Sequence, residues 1–145
     1  NVIPEEVVLR GTVRTLDAAV QDRTENAMRQ VCEGVAQTHG ARIALKYMRG
    51  YPGVVNTPEE TAAAVSAAAS LVGADKVHTD IKPAMGSEDF AFMLQKRPGA
   101  YIGIGAGEGA NDPPVHNPYY DFNDNILPLG AAYWVALVKQ QLPAA

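Results

Sequence analysis

The densest run of chemistry-bearing side chains in this sequence is Val115-His116-Asn117-Pro118-Tyr119-Tyr120-Asp121-Phe122-Asn123-Asp124. A loop histidine close to carboxylates suits a metal ion. Neutral imidazole binds zinc well, and a carboxylate can orient its second ring nitrogen. The same run also reads as a hydrogen-bonded loop in which Asp121, Asn123 and Asp124 cap the helix that follows. One histidine does not make a metal site, and His39 and His78 fall at a helix end and on a surface strand or loop. Met85-Gly86-Ser87-Glu88-Asp89-Phe90 opens a second candidate site. The free N–H groups at the start of a helix there could hold a carboxylate or an oxyanion. The alternative is that Ser87 is a cap and that Glu88 and Asp89 complement the positive helix end. Arg14 stands on the polar side of an alternating segment, either solvated or as a planar fork for a substrate carboxylate.

Other arrangements fall away on chemical grounds. Gly103-Ile104-Gly105-Ala106-Gly107-Glu108-Gly109 is no dinucleotide fingerprint, because Pro113-Pro114 intervenes before any helix. Its glycines are read instead as letting a loop approach a site closely. Cys32 adjoins the apolar side of a helix and reads as a buried, inert thiol. There is no evident Ser/His/Asp or Cys/His arrangement, P-loop or paired CxxC.

These residues need elements to hold them. In Val7–Leu16, Val7, Leu9 and Val13 alternate with Val8, Arg10, Thr12 and Arg14, the period of a strand. A helix is expected over 18–39, with Val20, Met28, Val31 and Val35 as its apolar stripe, Asp17 as N-cap and Gly40 as C-cap. Arg42–Tyr51 alternates again. One strand–helix–strand unit offers too little sheet to be stable by itself, so it calls for further strands. After a Tyr51-Pro52-Gly53 turn, Thr57-Pro58-Glu59-Glu60 is a strong helix start: Thr57 caps, Pro58 takes the first position and Glu60 completes a capping box. That Ala-rich helix ends at Gly73. A short strand over 76–79, a helix over 87–96, a buried strand over 101–105, a Gly- and Pro-rich loop over 106–118 and a last helix over 127–141 complete the reading.

Composition bounds the function. The chain has 145 residues, 47% of them apolar, and a net charge of −4. That balance supports a buried core and gives no electrostatic reason to expect nucleic acid or an anionic membrane as a partner. No apolar run is long enough to span a bilayer. Asn1-Val2-Ile3-Pro4-Glu5-Glu6 lacks the basic and apolar regions of a secretory signal, which leaves open a cleaved signal or one on a preceding part. A single cysteine excludes an intramolecular disulfide and suits a reducing cytoplasm, the expected location.

Taken in order, Asn1-Val2-Ile3-Pro4, Gly11-Thr12-Val13-Arg14-Thr15-Leu16-Asp17, Gly50-Tyr51-Pro52 with Val55-Asn56, Met85–Phe90 and His116–Asp124 resemble the M20 family of metallopeptidases and amidohydrolases. Within it, they resemble the branch of hippurate hydrolases and N-acyl-L-amino acid amidohydrolases. The resemblance runs nearly end to end. It implies an α/β fold: part of a mixed-sheet αβα catalytic domain over 52–145, and the second half of a ferredoxin-like lid or dimerisation domain, an antiparallel sheet with two helices, over 1–51. It implies hydrolysis of the amide bond of N-acyl amino acids at a centre of two divalent metals, for which zinc, manganese, cobalt and nickel all suit the ligands. Of the family's metal ligands only His116 maps onto this chain, and neither the general base nor the remaining ligand motifs are found in it. Asn1 and Arg14 map to lid residues that bind substrate, and Gly86, Ser87 and Glu88 to a loop lining the same pocket. The resemblance also implies a homo-oligomer formed through the lid sheet, and a chain inactive by itself. The competing reading is a noncatalytic dimerisation or binding module built on the sheet of residues 1–51.

Overall fold

The computed structural model describes residues 1–107, 109 and 112–142. Four α-helices follow in order: α1 over Ala18–His39, α2 over Pro58–Val72, α3 over Phe90–Leu94 and α4 over Leu127–Gln141. Single 3-10 turns cover Ala74–Lys76 and Asp124–Ile126.

Helix α1 is set by its ends. Asp17 Oδ1 accepts from the Val20 N–H at 2.9 Å, satisfying one of the donors that a helix start leaves open. Gly40 ends it at φ 61, and the Ala41 N–H reaches back to Ala36 O at 3.0 Å, a closure that glycine allows because it has no Cβ to clash in the left-handed region. The 41–50 segment is tied to this helix by one guanidinium. Arg49 bonds Glu25 through Nε at 2.9 Å and Nη2 at 2.8 Å, and Asp22 through Nη1 at 2.6 Å. The apolar stripe exists but is uncovered, since no residue of α1 is buried.

Helix α2 starts with Pro58 at its first position, as expected, but the capping box is not made. The Thr57 hydroxyl bonds the Glu60 carboxylate and also accepts from the Gly99 N–H at 2.9 Å, while the Thr57 N–H donates to Gly99 O at 3.0 Å. Tertiary bonds have taken the groups a local cap would use. Asn56 does the same one residue earlier: its amide donates to Tyr101 O at 2.9 Å and accepts from Tyr101 N at 2.8 Å. Helix α2 then packs on α4. Ala64 and Ala67 are buried on one side and Tyr133 on the other; small side chains on α2 leave room for the tyrosine ring, which also stands edge-on to Trp134 at 5.4 Å. Burial of its phenol raises the Tyr133 pKa.

The expected α/β architecture is overturned. Among the described residues there is no strand, so neither the mixed catalytic sheet nor the antiparallel lid sheet is present. The segments 7–16, 42–51, 76–79 and 101–105 make no ladder, and Lys76 closes a 3-10 turn. The reason is physical. Alternation assigns side chains to two faces, but a strand exists only when a second backbone lies alongside at about 4.8 Å. Nor are the faces covered: Val7 is 71% and Leu9 91% exposed, and Tyr101, expected in a buried strand, is 49% exposed. The competing module reading loses the sheet on which it was built.

The chain forms two compact units, Asn1–Gly53 with Pro83–Ala91, and Val54–Lys82 with Phe92–Ala145. Together they expose 12394 Å². A folded 15.4 kDa monomer is expected to expose about 7,200 Å², and two independent halves about 8,700 Å². Much apolar surface is therefore left without a protein neighbour, including Val2, Ile3, Trp134, Val135 and Val138. No helix among the described residues is long and apolar enough to cross a membrane.

Candidate functional site

In the second unit, two consecutive turns carry His116. The Asn117 N–H donates to Pro114 O at 3.1 Å and closes the first, over 114–117. His116 occupies its third position at φ 71, the one non-glycine positive φ among the described residues. That position of a type II turn demands positive φ and is usually taken by glycine or asparagine. The second turn closes when the Tyr120 N–H donates to Asn117 O at 2.9 Å, with Asn117 Oδ1 accepting from the Tyr119 N–H at 2.9 Å. The His116 side chain is exposed, and no described residue is hydrogen-bonded to its imidazole. Further along, Asn123 accepts from the Asn125 N–H at 3.0 Å and donates to Ala106 O at 3.1 Å. Asn123 thus caps the 3-10 turn before α4 and staples the loop to the 99–107 segment. The expected cap of the last helix by Asp121, Asn123 and Asp124 is therefore corrected: Asn123 caps the 3-10 turn, and α4 begins after Ile126 with no side-chain cap.

In the first unit, Arg14 and the 85–88 segment come together. The Arg14 guanidinium donates through Nη1 to the Met85 carbonyl. Gly86 and Ser87 are exposed beside it, and Glu88 is half-buried. The expected helix start at Ser87 is corrected: α3 begins at Phe90 and runs for five residues. The Glu88 carboxylate accepts from the Asp89 N–H at 3.1 Å and its carbonyl accepts from the Ala91 N–H at 3.3 Å, so the helix start is supplied with acceptors from within the chain. A Cβ on Gly86, Gly103 or Gly105 would meet nothing within 4 Å, so close approach to this chain does not account for those glycines; Glu108, in the same glycine-rich loop, lies outside the described residues. Asn1 is exposed, and no hydrogen bond or ion pair among the described residues joins it to Arg14.

A 250 Å³ groove between α2 and α4 is lined mainly by Ala63, Ala64, Ile102, Tyr133 and Trp134. Its one carboxylate, Glu60, is already bonded to Thr57, so the groove offers packing surface and no reactive group. Among the described residues, no three His, Cys, Asp or Glu side chains gather closely enough to hold a metal ion. His116 fits one position of such a site, being an accessible, unbonded imidazole on a constrained loop. The chain's described donors do not complete the set.

Sequence reasoning missed three contacts. The Met85 carbonyl as the partner of Arg14 is a backbone atom and leaves no sequence signal. Asn56 and Thr57, which hold the 99–101 segment, read as loop and cap. The Asn117-Pro118 pair was a legible turn signal, yet the left-handed backbone of His116 was not.

The model of peptidase family M20/M25/M40 matches residues 3–140, and the chain belongs to that family. It is 34% identical over 137 residues to an N-acetylcysteine deacetylase of Bacillus subtilis, covering 94% of this chain and 34% of that protein. It is 31% identical over 142 residues to a hippurate hydrolase of Campylobacter jejuni, covering 98% and 36%. A thermostable carboxypeptidase 1 of Saccharolobus solfataricus is 31% identical over 134 residues, covering 90% and 33%. The chain therefore spans about a third of the length of the curated relatives it matches. No solved structure matches it significantly.

Proposed function

We propose that this chain is part of a hydrolase that cleaves the amide bond of N-acyl amino acids, with His116 as one ligand of a divalent-metal centre. Its share of the substrate pocket would be Asn1, Arg14, Gly86, Ser87 and Glu88. The family match over 3–140 carries the reading, and two relatives are named for acyl-amino-acid substrates. The left-handed backbone of His116 supports it from the structure, because strain at a non-glycine residue is kept where surrounding contacts over-determine it, commonly at functional sites.

In the reaction the amide C–N bond breaks, the oxygen of water joins the acyl carbon and a proton passes to the departing amine. Divalent metals, when bound, supply Lewis-acid polarisation and an activated water. This chain's own residues bind and orient. Arg14 presents a planar fork that matches a free carboxylate bidentately, and its present partner, the neutral Met85 carbonyl, is one that a carboxylate can displace in exchange for a stronger, charge-assisted bond. His116 contributes an imidazole with no competing bond among the described residues.

The test is His116→Ala in the complete enzyme, read by metal content and turnover. The expected result is a loss of activity by orders of magnitude and weakened metal retention, with the helical signal of the fold unchanged. Near-normal turnover at full metal occupancy would remove His116 from the site.

A further inference from the structure

The one hydrogen bond that Arg14 donates among the described residues runs from Nη1 to the Met85 carbonyl, and no carboxylate among them pairs with it. We propose that this guanidinium serves two acceptors at once: Nη1 keeps the Met85 carbonyl, while the opposite edge, formed by Nε and Nη2, takes the substrate carboxylate. The Met85 carbonyl is then the group that orients the fork, and Arg14 brings the 85–88 segment to the carboxylate end of the substrate. This rests on the reading of Arg14 as a carboxylate fork.

The shape of a guanidinium carries the argument. Its five N–H groups lie in one plane, with Nη1 on the far side from the pair made by Nε–H and the nearer Nη2–H. That pair is parallel and matches the two oxygens of a carboxylate. An acceptor on Nη1 therefore leaves a full bidentate edge open, and Arg14 is exposed, so a ligand can reach it. The same compact unit already holds one guanidinium in this way. Arg49 gives Nε at 2.9 Å and Nη2 at 2.8 Å to Glu25 Oε2, and Nη1 at 2.6 Å to Asp22 Oδ1. Arg49 has a carboxylate on each side. Arg14 has a neutral carbonyl on its Nη1 side, which fixes the plane of the group without neutralising its charge. A carboxylate docking end-on would have to displace Met85. One docking side-on keeps that bond and adds two charge-assisted ones, so the side-on course is the more favourable. The 83–91 segment also belongs to the same compact unit as residues 1–53, so both acceptors of Arg14 would sit on one body. A lysine at this position offers a single point charge and has no second edge.

The test reads both edges of Arg14 by NMR in the complete enzyme. Met85-Gly86 is the one Met–Gly pair in this chain, so carbonyl-labelled methionine with amide-labelled glycine marks the Met85 carbonyl, and Gly86→Ala identifies its signal by removing it. The probe is N-benzenesulfonylglycine, which keeps the free carboxylate and replaces the scissile amide by a sulfonamide; its carboxamide is the control. The acid should shift the Arg14 Nε–H downfield and leave the Met85 carbonyl signal in place, and the carboxamide should do neither. Arg14→Ala should move the Met85 carbonyl upfield, as a lost hydrogen bond does. A Met85 signal that the acid drives upfield shows displacement and overturns the proposal, as does one that Arg14→Ala leaves unmoved. If Arg14→Ala loses its helical signal, the titration of the parent alone decides. An Arg14 Nε–H that responds equally to acid and carboxamide, or to neither, while Arg14→Ala still moves Met85, sinks the carboxylate fork and leaves the Met85 anchor standing, so the two failures are distinguishable.

Discussion

Replacing His116 by glycine separates the backbone of the candidate ligand from its imidazole. At φ 71, an L-residue is disfavoured by roughly 1–2 kcal/mol. Glycine escapes that cost but loses about 0.5–1 kcal/mol more chain entropy on folding. The difference places His116→Gly between neutral and about 1.5 kcal/mol more stable than the parent. The side chain is exposed, so little packing is given up. Urea unfolding of the chain, followed by circular dichroism, should therefore show an unchanged or raised midpoint. The same substitution in the complete enzyme should weaken metal retention and reduce turnover by orders of magnitude. Stability and function should thus move independently, or even in opposite directions, as expected where strain is kept for a functional purpose. A destabilisation beyond about 2 kcal/mol, the mark of a lost buried interaction, would show that the imidazole packs and that the strain argument is wrong. Parental turnover with metal fully bound would refute the ligand assignment outright.

Arg14→Ala and Arg14→Lys in the complete enzyme should impair catalysis mainly on substrates with a free α-carboxylate; equal losses on an N-acyl amino acid and on its amide would make Arg14 structural. The 145-residue chain by itself should show background acyl-amino-acid hydrolysis and should self-associate through its exposed apolar surface, read by sedimentation; a monomer that holds two metals and turns over substrate contradicts both. The Arg29 and Arg49 guanidiniums hold the Glu25 carboxyl below its ordinary 4.5. A group depressed on folding stabilises the fold above its unfolded pKa and loses that contribution as pH falls through the folded one. The Arg49 tie between α1 and the 41–50 segment should therefore survive at neutral pH and weaken only below about pH 4.5, the unfolded value, and Glu25→Gln should flatten the acid limb of a stability–pH profile. An identical profile in that variant would assign the acid response to other carboxylates.

Much of this protein was legible in local residue order. Asp17 and Gly40 mark the ends of α1, and Pro58 and Gly73 those of α2, because caps act over one turn and answer to the residues in that turn. The family motifs, read in order from Asn1 to Asp124, led to the family that the comparison shows. Strands were a different matter. The alternation in 7–16 and 42–51 is real, but pairing is a contact between distant backbones, and neither segment forms a ladder among the described residues. Thr57 shows the same limit on a smaller scale: its spacing to Glu60 predicted a cap, and Gly99, forty-two residues away, took the bonds instead.

For the candidate site, sequence by itself determined which side chains carry chemistry: an imidazole at 116, a guanidinium at 14 and a polar loop at 86–88. These are matters of residue type, and type is written in the order. Tertiary structure alone decided that Arg14 meets the Met85 carbonyl across seventy-one residues. It decided too that His116 stands at positive φ between two turns joined on Asn117, since a dihedral angle that most residues avoid is set by the bonds that close around it.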